Sequence, residues 1–305
     1  MNTATSHRAG TPSSLYSVAL PVAVLAVLGS ALAPPAQADE FDPLSIVESQ
    51  GLLADPNSPD SRAAQVPDQS NQTQAESEAA SLMPIEITPV TQAPASTSED
   101  GASTIHVDGS TGFVTGTAAG GTNASFVVLN DETAPNAHQF EVGDSSTSLE
   151  VHESGGAVVK DASGTQINFL QAPWATDATG KQLATHYTVE GNIVTQHIDT
   201  TGATYPVTAD PTTGCGVGWC SVYFNRTETS TIAAAGPAGT ATIAAGCALA
   251  GPIAAGVCAV AGGAITTFAI GADANNNCVG LVAYGVPPLA SWNPFVESKG
   301  SAHCP

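Results

Sequence analysis

The chain has 305 residues, with 6 Lys+Arg against 27 Asp+Glu, a formal net charge of −21, 42% hydrophobic residues and 5% aromatic ones. That length allows one or two cored domains, although large core-building side chains are scarce. The acidic balance, without any basic cluster, excludes nucleic acid as a partner and disfavours anionic membrane surfaces, because neither phosphate counterion release nor a polybasic attraction of about 1 kcal/mol per Lys or Arg is available.

The first 38 residues read as a secretory signal. His7 and Arg8 stand in a polar segment without acids, and Leu15 to Ala33 is an uncharged apolar run. Ala36-Gln37-Ala38 then supplies small residues at −3 and −1, which predicts cleavage after Ala38 and a mature chain starting at Asp39. No Cys stands at that junction, which excludes a lipoprotein.

Residues 39–102 read as a disordered acidic linker. Pro, Gln, Ser and acids dominate, and such a composition cannot bury enough apolar surface to offset chain entropy. The short patch Leu82-Met83-Pro84-Ile85-Glu86-Ile87 interrupts it.

From residue 103 to 212 short alternating runs are broken by turn residues, the pattern of an antiparallel β-rich domain. The spacing predicts strands over 104–107, 125–129, 138–142, 149–152, 157–160, 166–170, 186–190, 193–199 and 204–207. Asp161-Ala-Ser-Gly164, Asp177-Ala-Thr-Gly180 and Asp199-Thr-Thr-Gly202 read as turns. In each, the carboxylate can accept from the backbone two residues on, and Gly takes the left-handed position. They have neither the spacing of an aspartic-protease loop nor the alternating oxygen ligands of a calcium loop.

If Gly191-Asn192 is a two-residue hairpin turn, Glu190 pairs with Ile193 and His186 falls opposite His197. Thr188 and Thr195 share that face and are poor metal ligands, so the pair reads as solvated imidazoles. Tyr187, Val189, Val194 and Ile198 take the core face. No cofactor is implied, and no G-x-S-x-G elbow, H-E-x-x-H or phosphate loop occurs. Catalytic residues are therefore not assigned.

All six cysteines fall late: Cys215, Cys220, Cys247, Cys258, Cys278 and Cys304. In an exported chain they imply three disulfides. Nearest neighbours are the expected pairs, with Cys215–Cys220 closing a short loop, Cys247–Cys258 flanking the Gly251-Pro252 break and Cys278–Cys304 holding an irregular tail. Between Glu228 and Asp273 lie 44 uncharged residues, 24 of them Ala or Gly. Asn225 with Glu228 reads as a helix cap, and Ile253, Val257, Val260, Ala264 and Phe268 form a helical stripe. Two antiparallel helices of about 20 residues, about 30 Å long, follow. The fold class is α+β: a disordered N-terminal region, an antiparallel β-rich domain, and at 213–305 a small disulfide-stapled Ala/Gly-rich helical hairpin domain.

The segment APWATDATGKQLATHYTVEGNIVTQHIDTTGATYPVTADP at 172–211 and VYFNRTET at 222–229, with Asn275-Asn276-Asn277-Cys278 and Cys304, resembles a class of uncharacterised exported actinobacterial proteins. In that class a β-rich segment ending in ADP precedes a Tyr-Phe-Asn helix start, an Ala/Gly-rich stretch and a terminal Cys. The resemblance implies secretion and this architecture, and adds no catalytic residue.

The expected role is a secreted or envelope-associated, non-enzymatic binding or structural protein. A membrane-active, toxin-like protein using the Ala/Gly-rich hairpin is the first alternative. A hydrolase with an unrecognised site is the second.

Overall fold

Strand β5 (Asn123–Leu129) carries six successive buried residues, so both of its faces must be covered. The sequence alternates accordingly: Val127 and Leu129 enter one core, while Phe126 and Val128 enter another on the opposite face. The computed structural model describes residues 41–55, 84–216, 219–236, 243, 247–248, 252–284, 291–301 and 303–304. The signal segment and its cleavage site after Ala38 lie outside them.

β5 is central to a six-stranded antiparallel sheet of order β10-β13-β5-β4-β3-β2. The other members are β2 (Ala95–Thr97), β3 (Thr104–Asp108), β4 (Thr111–Thr117), β10 (Ala175–Thr176) and β13 (Val207–Ala209). On one face lies a four-stranded sheet, β1-β6-β12-β11. It is made of β1 (Ile87–Pro89), β6 (Ala137–Val142), β11 (Thr185–Glu190) and β12 (Ile193–Ile198). Its Ile87, Phe140, Tyr187, Val194 and Ile198 pack with Phe113, Val127 and Leu129.

The opposite face is closed by α1 (Pro43–Ser49), whose Val47, with Leu52 beyond it, packs on Val114, Phe126, Val128 and Trp174. Asp42 starts this helix by accepting from the amides of Leu44 and Ser45, and Pro43 is pre-set for its first turn. The expectation of a disordered linker therefore fails for residues 41–55 and for 84–102, which supply α1, β1 and β2; residues 56–83 lie outside the description. Composition counted too few apolar residues, but Val47 and Leu52 are aimed at a sheet face that would otherwise be bare. Burying such side chains contributes about 1.5–3 kcal/mol each.

Strands β7 (Ser148–Val151), β8 (Ala157–Lys160) and β9 (Gln166–Leu170) form a three-stranded meander. A second four-stranded sheet, β14-β15-β16-β17, carries β14 (Cys215–Gly216), β15 (Trp219–Tyr223), β16 (Cys278–Tyr284) and β17 (Ser291–Glu297). It shares a core with two helices, α2 (Arg226–Ala235) and α3 (Pro252–Ala274), through Val222, Phe224, Ile232, Ile265, Ala269, Val279 and Leu281. From Phe41 onward the chain is one compact unit.

Three corrections fall in this last part. The tail after Cys278 is not irregular: β16 and β17 pair along their whole length, and Pro294 is accommodated because β17 is an edge strand. α2 has ten residues rather than about 20, since Gly236 takes φ +54° just before Pro237. The described end of the predicted apolar stripe is rotated outward: Ala264 and Phe268 are exposed while Ile265, Ala269 and Ala272 are buried. On a helix of mostly small residues, the few large side chains of the facing sheet decide the buried face. α3 begins at Pro252, where the break was expected, but residues 237–242 lie outside the description and a hairpin of two long helices is not confirmed.

Candidate functional site

The histidine pair sits where the register places it. β11 and β12 pair with Glu190 opposite Ile193 and His186 opposite His197, and the two imidazoles stack with centroids 4.8 Å apart. Thr188 Oγ1 lies 3.0 Å from His197 Nε2. Among the described residues no group of three or more His, Cys, Asp or Glu side chains is arranged to hold a metal ion.

The three Asp-x-x-Gly segments are turns. Asp161, Asp177 and Asp199 accept from the amides of Ser163, Thr179 and Thr201, and Gly164, Gly180 and Gly202 have φ of +81°, +79° and +68°. Hydrogen bonds from Thr179 and the Thr204 amide hold the Asp177 carboxyl well below the usual carboxylate range. These acids are occupied by local structure.

Cys215 is bonded to Cys220 and Cys278 to Cys304. Cys247 is disulfide-bonded as well. The side chain of Cys258, its expected partner, lies outside the description.

One concave feature is built around Tyr223 and His303, neither of which was a candidate from the sequence. Along the end of β15, Phe224 turns into the core while Tyr223 stays half-buried. Tyr223 lies opposite Gly280 in the ladder, meets Phe295 edge-on at 5.4 Å and stacks on His303 with ring centroids 3.8 Å apart. His303 is placed by the neighbouring Cys304, tied to the start of β16.

Two cavities share this ring pair. The first, about 200 Å3, is lined among others by Gln171, Trp174, Tyr223, Glu228 and His303. The second, about 160 Å3, includes Leu52, Gly120, Tyr223, Glu297 and His303. A β-carbon at Gly120 would lie 2.6 Å from the Tyr223 hydroxyl, so any larger residue there would shift that phenol.

The wall opposite α2 is held by hydrogen bonds. Gln171 Nε2 donates to the Ser221 carbonyl at 2.7 Å, fastening the loop after β9 to β15. Asn225 accepts from the Glu228 amide while Glu228 Oε2 accepts from the Asn225 amide at 2.8 Å, a reciprocal cap that fixes Glu228 at the cavity edge. Burial pushes the Glu228 carboxyl above its usual range, against the pull of that amide.

Behind Trp174 lies a buried polar group. Asp210 Oδ1 accepts from the Trp174 amide at 2.9 Å and from Gln196 Nε2 at 3.3 Å, and Gln196 Nε2 also donates to the Trp174 carbonyl at 3.1 Å. Asp210 and Gln196 are fully buried. Desolvation pushes the Asp210 carboxyl up to about 8, so it is largely protonated at neutral pH. It also helps push the nearby Tyr187 phenol well above its ordinary value, after burial itself. The cluster positions Trp174 at the wall of the first cavity.

No protein-family model, curated protein or solved structure matches the chain. The signal that could have found the site was in the quoted motifs: Tyr223, Asn225 and Glu228 fall in VYFNRTET, and Asp210 in the ADP that ends the β-rich segment.

Proposed function

We propose that the protein is a secreted or envelope-associated, non-enzymatic binding module, whose recognition surface is the pair of cavities meeting at Tyr223 and His303. The observation that carries this reading is that ring pair: two adjoining cavities share one aromatic stack, and a disulfide delivers half of it. The disulfides fit an oxidising, extracytoplasmic setting. The cavities are small beside the roughly 300–1,000 Å3 of sites that engulf a drug-sized ligand. Such hollows suit a protruding group of a larger partner. The actinobacterial resemblance and the Cys247–Cys258 clasp of an Ala/Gly-rich hairpin belong to the same proposal.

The test is co-sedimentation of the oxidised protein with isolated cell-wall material. Binding lost in Tyr223→Ala and retained in a substitution at the exposed Val107 supports the module. Turnover of an ester, amide or glycoside that His303→Ala abolishes overturns it in favour of a hydrolase.

A second reading, membrane activity, draws on Phe268 and Ile270, exposed by 42% and 54% on α3. Among the described residues no helix is long and apolar enough to cross a membrane. Release of dye from vesicles, abolished by Phe268→Ser, would establish this reading instead.

A further inference from the structure

We infer that the cavity between Trp174, Tyr223 and Glu228 takes a cationic head group, a guanidinium or an ammonium, presented by its ligand. The inference rests on the binding-module reading and names the chemistry of that site.

Of four cavities lined by described residues, none includes a Lys or Arg. Each instead includes a carboxylate: Glu228, Glu297, Asp177 and Glu86. With 27 acids against 6 basic residues over the chain, an anionic ligand would be repelled at long range and would meet no Lys or Arg in these linings, the first cavity offering it the His303 imidazole and neutral donors. The nearest basic residue in sequence, Arg226, is turned away, its guanidinium donating to the carbonyl and side-chain oxygens of Asn276 at 2.8 and 2.7 Å.

Among the four, the first cavity alone combines a half-buried carboxylate with a Trp and a Tyr in its lining. Both rings line the cavity, Tyr223 with one face covered by His303 and Trp174 nearly buried, and an aromatic face against a cation attracts it through the ring quadrupole, Trp most strongly and more so as water is excluded. A cation against Glu228 also offsets the desolvation that disfavours its charged form. At about 200 Å3, against about 30 Å3 per water in the liquid, the cavity has room for a head group with part of its hydration shell.

The helix cap supplies a clean variant. Gln replaces Glu at the third helical position of a capping box without loss of the reciprocal hydrogen bond, so Glu228→Gln removes the charge and keeps the start of α2.

The experiment is titration of the oxidised full-length protein at pH 8 and low salt, followed by calorimetry and tryptophan fluorescence. The probes are N-ethylguanidinium and its neutral counterpart N-ethylurea. The expected result is saturable binding of N-ethylguanidinium, at least tenfold tighter than N-ethylurea, and at least tenfold weakened in Glu228→Gln with its melting temperature unchanged. Equal binding of the two probes, an unaffected Glu228→Gln, or no binding of N-ethylguanidinium would each overturn the inference. A third arm separates the sources of the cation: the capped peptide Gly-Gly-Arg-Gly-Gly binding at least tenfold tighter than N-ethylguanidinium assigns the group to a partner protein, and equal affinity assigns it to a free small cation. Tyr223-dependent wall binding that persists without any guanidinium binding sinks the cation while sparing the module; absence of both sinks the two together.

Discussion

The ring of Phe169 lies so close to Gly214 that a β-carbon at 214 would stand 2.0 Å from two of its carbons. The Gly214 amide donates to the Phe169 carbonyl at 2.8 Å, so backbone and ring are fixed together. Phe169 belongs to the core of the cysteine-bearing sheet although it comes from the three-stranded meander. This contact therefore joins the two halves of the chain. Gly214→Ala is expected to cost about 3 kcal/mol, the upper end of overpacking effects. Urea unfolding measures it, and a loss below about 1 kcal/mol would contradict the packing. The double variant with Phe169→Ala should be non-additive, since one residue's clash vanishes with the other's ring.

Asp210 sets a pH dependence. Its carboxyl lies near 8 in the folded chain against about 3.9 unfolded. The folded state then holds the proton more tightly, so this contribution is fully present below about pH 4 and is lost as pH rises towards 8, at up to about 1.4 kcal/mol per unit. The buried His138 works the other way: burial lowers its pKa, so stability falls as pH drops below the ordinary histidine range. Between about pH 6.5 and 8 the Asp210 effect is clear of it. Denaturation across that window should show stability falling with pH in the parent and a markedly flatter profile in Asp210→Asn; identical slopes would refute a protonated Asp210.

How much of this was legible depends on the range of the forces involved. The β11–β12 hairpin follows from Gly191-Asn192 and strict alternation, so His186 could be placed opposite His197 from sequence, while the stacking of the rings could not. The Asp-x-x-Gly turns and the Asn225 cap are equally local. α1 was not legible: Pro43–Ser49 is a seven-residue helix whose reason to exist is the second face of β5, some 80 residues on. β17 was hidden by Pro294, which only its edge position tolerates. Thr204–Val207 was displaced to Val207–Ala209 because Pro206 offers no amide to the ladder. The candidate site was least visible of all. Tyr223, His303 and Trp174 come from three separate stretches, and no spacing rule connects them.

Stacked imidazoles invite a metal, and the threonines beside them argue against one. Addition of zinc or copper is expected to leave the melting temperature within a degree or two, as weak surface binding would. Stoichiometric uptake, lost in both His186→Ala and His197→Ala, would overturn that expectation.

Removing the Cys278–Cys304 bridge by a double Ser substitution is expected to cost about 3 kcal/mol, the chain-entropy figure for a loop spanning 26 positions. The same variant should lose the Tyr223–His303 stack. Tyr223→Ala alone should weaken binding without a comparable loss of stability. A bridge-free variant that binds as the parent does would separate the disulfide from the cavity.

That bridge also links the redox state of the chain to the wall it carries. His303 stands one residue from Cys304, so the shared wall of the two cavities is tied to the sheet through that disulfide. Without the bond, the stretch from Ser301 to Cys304 would be held to β16 by no covalent cross-link. On the binding-module reading, ligand competence would then depend on that bond, and the reduced chain would bind only where an oxidant closes it.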